Sequence, residues 1–217
     1  MKTFMGYRRP DGKVGVRNYI AILSTVCCAN PVAEKVARKV PGAVALLHSH
    51  GCGRRPERPT HNMCLKGLGS NPNIYGVVVV SLGCEGTPAK EVTADIARTG
   101  RPVELVVIQD AGSVKAVEKA VQIASRMAQE AAKLQREEFP VSCLMLGMEC
   151  GGSDALSGVT SNPSIGVLSD WLVAQGATTV LTETTELIGT NKILKKRAAN
   201  EEVARRIDEV IQAAQDN

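Results

Sequence analysis

The sequence has few aromatic residues and no long apolar stretch. Only 3% of its 217 residues are Phe, Trp or Tyr, so the core must consist mainly of Val, Ile, Leu and Ala, the residues that buried parallel strands prefer. No apolar run approaches the roughly 20 residues that cross a bilayer. The beginning, MKTFMGYRRPDGK, lacks the apolar segment of a secretory signal peptide. We therefore expect a cytoplasmic protein without a membrane segment.

The sequence also lacks the usual signals for nucleic acids and nucleotides. Its net charge of +4 is spread along the chain, without the basic and aromatic stripe of nucleic-acid binders. Neither the dinucleotide-binding glycine fingerprint nor the P-loop occurs. A local cluster of Arg54, Arg55 and Arg58 follows Cys52, and it suits an anionic small molecule better than a polymer.

Seven cysteines are present, an odd number in a chain without an export signal. Disulfides are rare in reducing compartments, so we expect free thiols or metal ligands rather than a disulfide framework.

Six apolar, strand-like runs alternate with helical periodicities along the chain. This alternation predicts parallel βαβ units. The expected fold class is α/β, a three-layer sandwich with a mainly parallel sheet of about six strands. Three regions are expected: an extended N-terminal arm over residues 1–17, with a turn at Arg9–Gly12, an α/β domain of catalytic type over 18–190, and a charged amphipathic C-terminal helix over 191–217.

Four of the predicted strands each end in a cysteine. These are Cys28, Cys52, Cys84 and Cys150. Because ligands bind outside the carboxyl ends of the strands in open α/β sheets, we expect the four thiols to share one pocket at one edge. The alternative for Cys28 and its neighbour Cys27 is a structural role, since free cysteines are among the most buried residues.

The richest of these strand ends reads HSHGCG and contains His48, His50 and Cys52. Imidazole and thiolate suit Fe(II), Zn or Co. The alternative is a turn with incidental polar residues, but two of the three histidines of the chain fall here, which favours function. Glu85, beside Cys84, is a candidate general base or ligand, and its alternative is a carboxylate at a helix N-terminus.

Two further strand ends carry polar groups. Consecutive glycines such as Gly151 and Gly152, after Cys150, can form an anion-binding nest of N–H groups. Ser153 and Asp154 add a hydroxyl and a carboxylate, and Asn162 opens the next helical region. The last strand ends at Glu183, a candidate catalytic carboxylate.

Several of these segments together resemble the altronate/galactarate dehydratase family, which includes altronate dehydratase (altronate hydrolase) and the large subunit of sulfolactate sulfo-lyase. The resemblance runs from about Gly6 to Gly189 and rests on the segments GYRRPDGKVGVRNYIAILSTVCCAN, HSHGCG, SLGCE, GGSDALSGVTSNPSIG and TETTELIG. It implies β-elimination from sugar acids or related 2-hydroxy acids, with iron(II) in the dehydratases. It also implies further pieces: a small companion domain or subunit and a C-terminal half. We therefore expect this chain to supply part of an active lyase, and we expect a homo-oligomer.

The residues and the resemblance together suggest roles for each candidate. His50 or Glu85 is the expected general base, and Glu183 or Asp154 is expected to help the hydroxyl leave. The expected substrate-binding residues are Arg54, Gly151, Gly152, Ser153 and Asn162. The pool of expected metal ligands is Cys28, His48, Cys52, Cys84 and Cys150.

Alternatives remain open at this point. The metal is expected to be Fe(II), acting as a Lewis acid; an iron–sulfur cluster held by three of the thiolates is the main alternative, followed by Mn or Zn. The substrate is expected to be an altronate- or galactarate-like sugar acid that loses water to give a 2-keto-3-deoxy acid. The alternatives are a sulfo-lyase acting on sulfolactate and a non-catalytic metal- or ligand-binding domain of a larger assembly.

Overall fold

A computed structural model describes residues 2–53, 57–152 and 154–216. Contacts within the chain divide it into two compact units: the first spans Thr3–Phe139, and the second runs from Pro140 onward and includes Lys2. The α/β domain that the sequence predicted over 18–190 runs across this division. Arg54 and Ser153, both predicted substrate-binding residues, lie outside the described residues.

The first unit is built around a parallel sheet of four strands. In spatial order these are β4 (Ala43–Leu46), β3 (Tyr19–Ser24), β5 (Ile74–Ser81) and β6 (Val103–Val107). Residues 77–80 of β5 are four consecutive valines without solvent exposure. Such unbroken apolar runs are typical of parallel strands covered on both faces.

Helices cover both faces of this sheet. On one face, α1 (Asn30–Lys39) and α4 (Gly112–Ala132) enclose a core with Ile20 and Ile22 of β3. On the other face, α2 (Arg58–Gly69) and α3 (Ala89–Ala97) pack over Ala21 and Leu23 of the same strand. Successive side chains of a strand point to opposite faces, so one apolar strand supplies both cores. The α/β class with a parallel sheet and flanking helices is confirmed.

The N-terminal arm forms strands rather than an isolated extended segment. β1 (Thr3–Arg8) pairs antiparallel with β2 (Val14–Gly15), and β7 (Glu137–Pro140) lies beside β1 in the same small sheet. The predicted turn is present, since the N–H of Gly12 donates to the Arg9 carbonyl at 2.9 Å. Arg9 is buried and anchors the arm by donating to the carbonyls of Pro72 and Arg17 and to Asn18.

The second unit contains a separate two-stranded parallel sheet, β8 (Met145–Met148) with β9 (Thr178–Leu181). Its helices are α5 (Ser161–Ala174), α6 (Asn191–Lys196) and α7 (Glu201–Asp216). The six expected parallel strands are therefore distributed as four and two rather than in one sheet. The tail is likewise two helices rather than the single predicted one, because Asn200 caps α7: its side-chain Oδ1 accepts from the N–H of Val203 at 2.9 Å.

The second unit leaves much of its apolar surface uncovered. Val141, Leu172 and Ala177 form its small core, while Val159 and Val167 are 72% and 71% exposed. A two-stranded sheet is marginal without a further covering layer, and these exposed side chains are apolar surface that the unit itself leaves uncovered. No helix within the described ranges is long and apolar enough to span a bilayer.

Candidate functional site

Three loops meet beyond the carboxyl ends of β3, β4 and β5 in the first unit. The N–H of Cys27, after β3, donates to the carbonyl of His50, after β4, at 2.9 Å. The N–H of Gly86, after β5, donates to the carbonyl of Gly51 at 3.2 Å. Asn30, at the start of α1, donates through its side chain to the carbonyl of His48 at 2.7 Å. In this unit, the loops at the edge that the sequence predicted as the site are therefore joined to one another by hydrogen bonds.

Gly51 permits the close approach of two of these loops. Its φ of +102° belongs to the region that favours glycine. A Cβ at this position would lie 2.4 Å from the Thr25 carbonyl oxygen and 2.7 Å from the Val26 Cα. The HSHGCG loop can rest against the end of β3 only because residue 51 has no side chain.

All three histidines of the chain gather at this edge. The ring centroids of His48 and His61 are 4.7 Å apart in an edge-to-face contact, and the His50 ring lies 5.9 Å from His61 and 6.3 Å from His48. His61 was not predicted from the sequence, because it belongs to α2 and is separated from the other two by the loop that precedes this helix. The sequence did offer one signal: His61 is the only histidine outside the HSHGCG segment, and a third imidazole could have been considered for the same site.

His48 uses both of its ring nitrogens within the protein. Nε2 lies 2.8 Å from the carbonyl oxygen of Ser24, which can only accept. Nδ1 lies 3.1 Å from the backbone nitrogen of His50, which can only donate. The ring is therefore the neutral tautomer with its hydrogen on Nε2, and in this conformation no lone pair remains for a metal. This arrangement does not support the predicted ligand role of His48 and indicates a positioning role.

His61 differs in this respect. Its Nε2 is buried and has no hydrogen-bond partner among the described residues. Burial lowers the pKa of His61, as do the nearby rings of His48 and His50, against the opposing effect of a hydrogen bond to the Thr25 carbonyl. The imidazole is therefore neutral at physiological pH. Because Nε2 has no partner, the hydrogen bond to the Thr25 carbonyl belongs to Nδ1, and Nε2 is available to another group.

Glu85 is held as a carboxylate. Its Oε1 accepts from the hydroxyls of Thr25 at 2.6 Å and Ser81 at 2.5 Å, and its Oε2 accepts from the N–H of Gly83 at 2.6 Å. Burial alone would raise the pKa of Glu85, but these hydrogen bonds outweigh it and lower the pKa below its ordinary value. A carboxylate with a lowered pKa is a weak base, which argues against the predicted base role of Glu85; the base role of His50 stays a prediction.

Three of the predicted thiol ligands lie in this same region. Cys28, Cys52 and Cys84 are exposed, and none is in a disulfide. A hydrogen bond and the charge of Cys27, then burial, then the charges of Cys52 and Cys84 raise the pKa of Cys28. Neighbouring thiolates repel one another. The positive charge of a bound cation would offset this repulsion and so favour the deprotonated form of a coordinated thiol.

A small cavity of about 50 Å³ opens beside the histidines. His50, Cys52, Arg58 and His61 are among its lining residues. The guanidinium of Arg58 lies against Gly86, where a Cβ would meet Nη2 at 2.3 Å. Arg58 is thus the described member of the arginine cluster that reaches the site, and it places a positive charge beside the cavity.

The remaining candidates belong to the second unit. The N–H of Cys150 donates to Glu183 Oε2 at 2.7 Å, which ties together the ends of β8 and β9. Glu183 has a φ of +60°, an uncommon conformation for a residue other than glycine and one that is enriched at functional sites. Both residues and Asn162 line an open cavity of about 950 Å³.

The described residues that follow Cys150 have more ordinary conformations. Asp154 Oδ1 accepts from the N–H of Leu156 at 3.1 Å and so caps a local turn. Neither Gly151 nor Gly152 has a positive φ, so the left-handed step that anion nests often contain falls on neither residue. Their predicted substrate-binding role remains a prediction.

The donor groups suit a transition metal in kind, although they are not yet assembled. Thiols and imidazoles are ligands that Fe(II) and Zn accept, and the unpartnered Nε2 of His61 is a nitrogen to which such an ion would bind. Within the described ranges, no three His, Cys, Asp or Glu side chains already converge as a metal site. The residues therefore fit a metal ion in the types of donor atom that they offer, and binding would require their side chains to rotate towards one another.

Comparison with known protein families gives two matches that follow the structural division. Residues 6–132 match the model described as D-galactarate dehydratase/altronate hydrolase, second domain, and residues 141–217 match D-galactarate/altronate dehydratase, C-terminal. The chain belongs to the D-galactarate dehydratase/altronate hydrolase family. This confirms the family resemblance drawn from the sequence motifs.

Individual relatives agree with the family assignment. Altronate dehydratase of Bacillus subtilis (strain 168) is 37% identical over 97% of this chain and 44% of its own length. Galactarate dehydratase (L-threo-forming) of Escherichia coli (strain K12) is 40% identical over 94% of this chain and 43% of its own. The (2R)-sulfolactate sulfo-lyase subunit beta of Chromohalobacter salexigens is 38% identical over 94% and 52%. The chain spans about half the length of these relatives.

Proposed function

We propose that this chain is part of a lyase that eliminates water from a sugar acid of the altronate or galactarate type and gives a 2-keto-3-deoxy acid. The observation that carries the proposal is the pair of family matches over 6–132 and 141–217. The strand-end site in the first of them supplies matching chemistry: a neutral imidazole with an available nitrogen, several thiols and a nearby guanidinium.

The reaction requires removal of the proton on the carbon next to the carboxylate and departure of the hydroxyl on the following carbon. In the proposed mechanism His50 takes the proton, because its ring lies at the cavity and Glu85 is too weak a base. His48 holds this loop in place through the backbone N–H of His50. Arg58 binds the substrate carboxylate and stabilises the negative charge that develops there. Glu183 or Asp154 remains the proposed acid for the leaving hydroxyl.

We propose Fe(II) as the cofactor, with an iron–sulfur cluster, Mn or Zn as alternatives. The thiols Cys28, Cys52 and Cys84, with an imidazole of the histidine group, are the residues of the first unit that would hold it. When bound, such an ion acts as a Lewis acid that stabilises charge on the substrate oxygens. The fixed negative charge of Glu85, at the same edge, favours the binding of a cation.

A second candidate is elimination of sulfite from sulfolactate. It is favoured by the similarity to the sulfo-lyase subunit beta, which this chain matches over 52% of that protein's length. The same base could act, since the proton again leaves the carbon next to the carboxylate and only the leaving group differs.

We further propose that activity requires a region homologous to the part of the relatives that this chain does not match, whether that region belongs to the same protein or to a partner. The relatives are about twice as long as the matched segment. The exposed side chains of Val159, Val167 and Leu181 in the second unit give such a region an apolar surface to cover. A small companion subunit and a homo-oligomer are the other proposed assemblies.

The test is an anaerobic assay of keto-acid and sulfite formation with Fe(II). The chain would be assayed alone and with the unmatched segments of a relative added, against altronate, galactarate, other aldonates and sulfolactate. We expect keto-acid from a sugar acid when the segments are added, and little from the chain alone. Sulfite release without any dehydration would support the second candidate, and no product from any acid would contradict both.

A further inference from the structure

The three imidazoles at the strand ends are not equivalent. They form one group, with ring centroids 4.7 to 6.3 Å apart, yet their nitrogens have different hydrogen-bond partners. A nitrogen can bind a metal only through a lone pair that no hydrogen atom occupies. The partners of each ring therefore indicate which histidine is available as a ligand.

His48 is excluded by its own contacts. Its Nε2 hydrogen is directed to the Ser24 carbonyl and its Nδ1 lone pair to the His50 N–H. Binding a metal through either nitrogen would break a backbone contact that positions the HSHGCG loop. Ser24 ends β3 and His50 follows the neighbouring strand β4, so the loss of either contact would disturb the loops that form the site.

His61 has the complementary property. Its Nε2 is buried without a hydrogen-bond partner among the described residues, and the His61 residue lines the same cavity as His50 and Cys52. A buried polar atom without a partner is energetically unfavourable, and a group bound beside His61 would supply the missing partner. A metal ion is such a group, and the neighbouring thiols are suitable further ligands.

We propose that His61, rather than His48, is the imidazole ligand of the metal site, binding through Nε2 together with Cys52. His48 is then a positioning residue that fixes the loop carrying His50 and Cys52. This inference rests on the proposed metal dependence and assigns a role to a residue that neither the sequence motifs nor the family names single out. It also gives α2 a function, because this helix delivers the ligand to the edge.

The experiment is an anaerobic titration of the 217-residue chain with Co(II), which reports its ligands through its visible absorption, and with Fe(II) by equilibrium dialysis. The variants are His61→Ala, His48→Gln, Cys52→Ala and Cys64→Ala. His48→Gln keeps an amide N–H that can replace the Nε2 donor. Cys64→Ala is the matched control, since Cys64 is an exposed thiol one turn further along the same helix. Thermal unfolding of each variant checks that the fold is retained.

We expect His61→Ala and Cys52→Ala to weaken metal binding about 100-fold or more, since loss of a second-shell partner alone costs about 10–100-fold. His48→Gln should bind within a few-fold of the unmodified chain, and Cys64→Ala should bind equally. Proton NMR of the Co(II) form supplies a second readout. One strongly shifted imidazole N–H signal should be absent from His61→Ala and present in His48→Gln.

The outcomes separate the inference from the proposal on which it rests. Binding by the unmodified chain that persists in His61→Ala, with the shifted signal retained, would overturn the ligand assignment and leave metal dependence intact. Loss of binding in His48→Gln with full binding in His61→Ala would return the ligand role to His48. If the unmodified chain binds neither ion, both metal dependence and the inference fail, whereas dehydration is judged separately by the keto-acid assay.

Discussion

The hydroxyl of Thr25 donates a 2.6 Å hydrogen bond to Glu85 Oε1, and this bond joins the residue after β3 to the loop after β5. Ser81 and the N–H of Gly83 donate to the same carboxylate. Three donors around one carboxylate maintain a negative charge beside the thiols and imidazoles. Glu85 is therefore best understood as a fixed anion that holds two strand ends together, and two predictions about the stability of this edge follow.

Glu85→Gln should lower the free energy of unfolding at neutral pH by about 1–3 kcal/mol, because an amide cannot accept from all three donors at once. The folded-state pKa of Glu85 lies below its ordinary value of 4.5. Its stabilising contribution is therefore fully present above about 4.5 and is lost as the pH falls through the folded-state pKa. Urea unfolding between neutral and acidic pH, with a chelator present, measures this.

The control is Glu118→Gln, which changes an exposed carboxylate in the middle of α4. It should alter stability little at any pH. If Glu85→Gln were as stable as the unmodified chain at neutral pH, or if its deficit grew as the pH fell, the description of Glu85 as a hydrogen-bonded anion would be incorrect.

Gly51→Ala should destabilise the first unit far more than Gly53→Ala. Both glycines have a positive φ, so each substitution carries a strain of about 1–2 kcal/mol. Only at residue 51 would the new Cβ meet the backbone, 2.4 Å from the Thr25 carbonyl oxygen, whereas at residue 53 no described atom lies within 4 Å. Denaturant unfolding of the two variants compares them directly, and equal losses would show that the loop does not rest against β3 as described.

The two units should unfold at different denaturant concentrations. Trp171 is the only tryptophan and lies in α5, so its fluorescence reports on the second unit. The buried apolar side chains of the described part of this unit are Val141, Leu172, Ala177 and Ile211; the first unit has two full core layers. We expect the fluorescence transition at a lower urea concentration than the main change in far-UV circular dichroism. Coincident transitions would mean that the units unfold together.

The sequence was sufficient to predict the strand ends in the first unit, because apolar runs followed by Gly, Cys and polar residues indicate a buried strand and its turn. It could not distinguish His48 from His61, since that difference depends on which backbone groups the folded loops place beside each ring. The break between α6 and α7 did have a signal: Asn200 followed by Glu201 and Glu202 is a typical helix start.

The division of the strands between two sheets could not be predicted from the local sequence pattern. β8 and β9 were predicted as strands in the same way as β3 to β6, and only tertiary contacts decide which strands share a sheet. Four cysteines were predicted to share one pocket. Cys28, Cys52 and Cys84 lie at the same edge of the first unit, while Cys150 belongs to the second unit. Whether Cys150 joins them remains a prediction.

The most direct test of the account follows the fate of the substrate protons by NMR in D₂O. The Fe(II)-loaded chain, with the unmatched segments of a relative added, would be incubated with galactarate or altronate. Elimination that begins with proton removal next to the carboxylate passes through an enol, which takes up one solvent deuterium at C3 as it becomes the 2-keto-3-deoxy acid. We predict this singly deuterated product, and its loss in His50→Ala. Unchanged substrate, without exchange of the proton next to the carboxylate, would contradict the proposed dehydration.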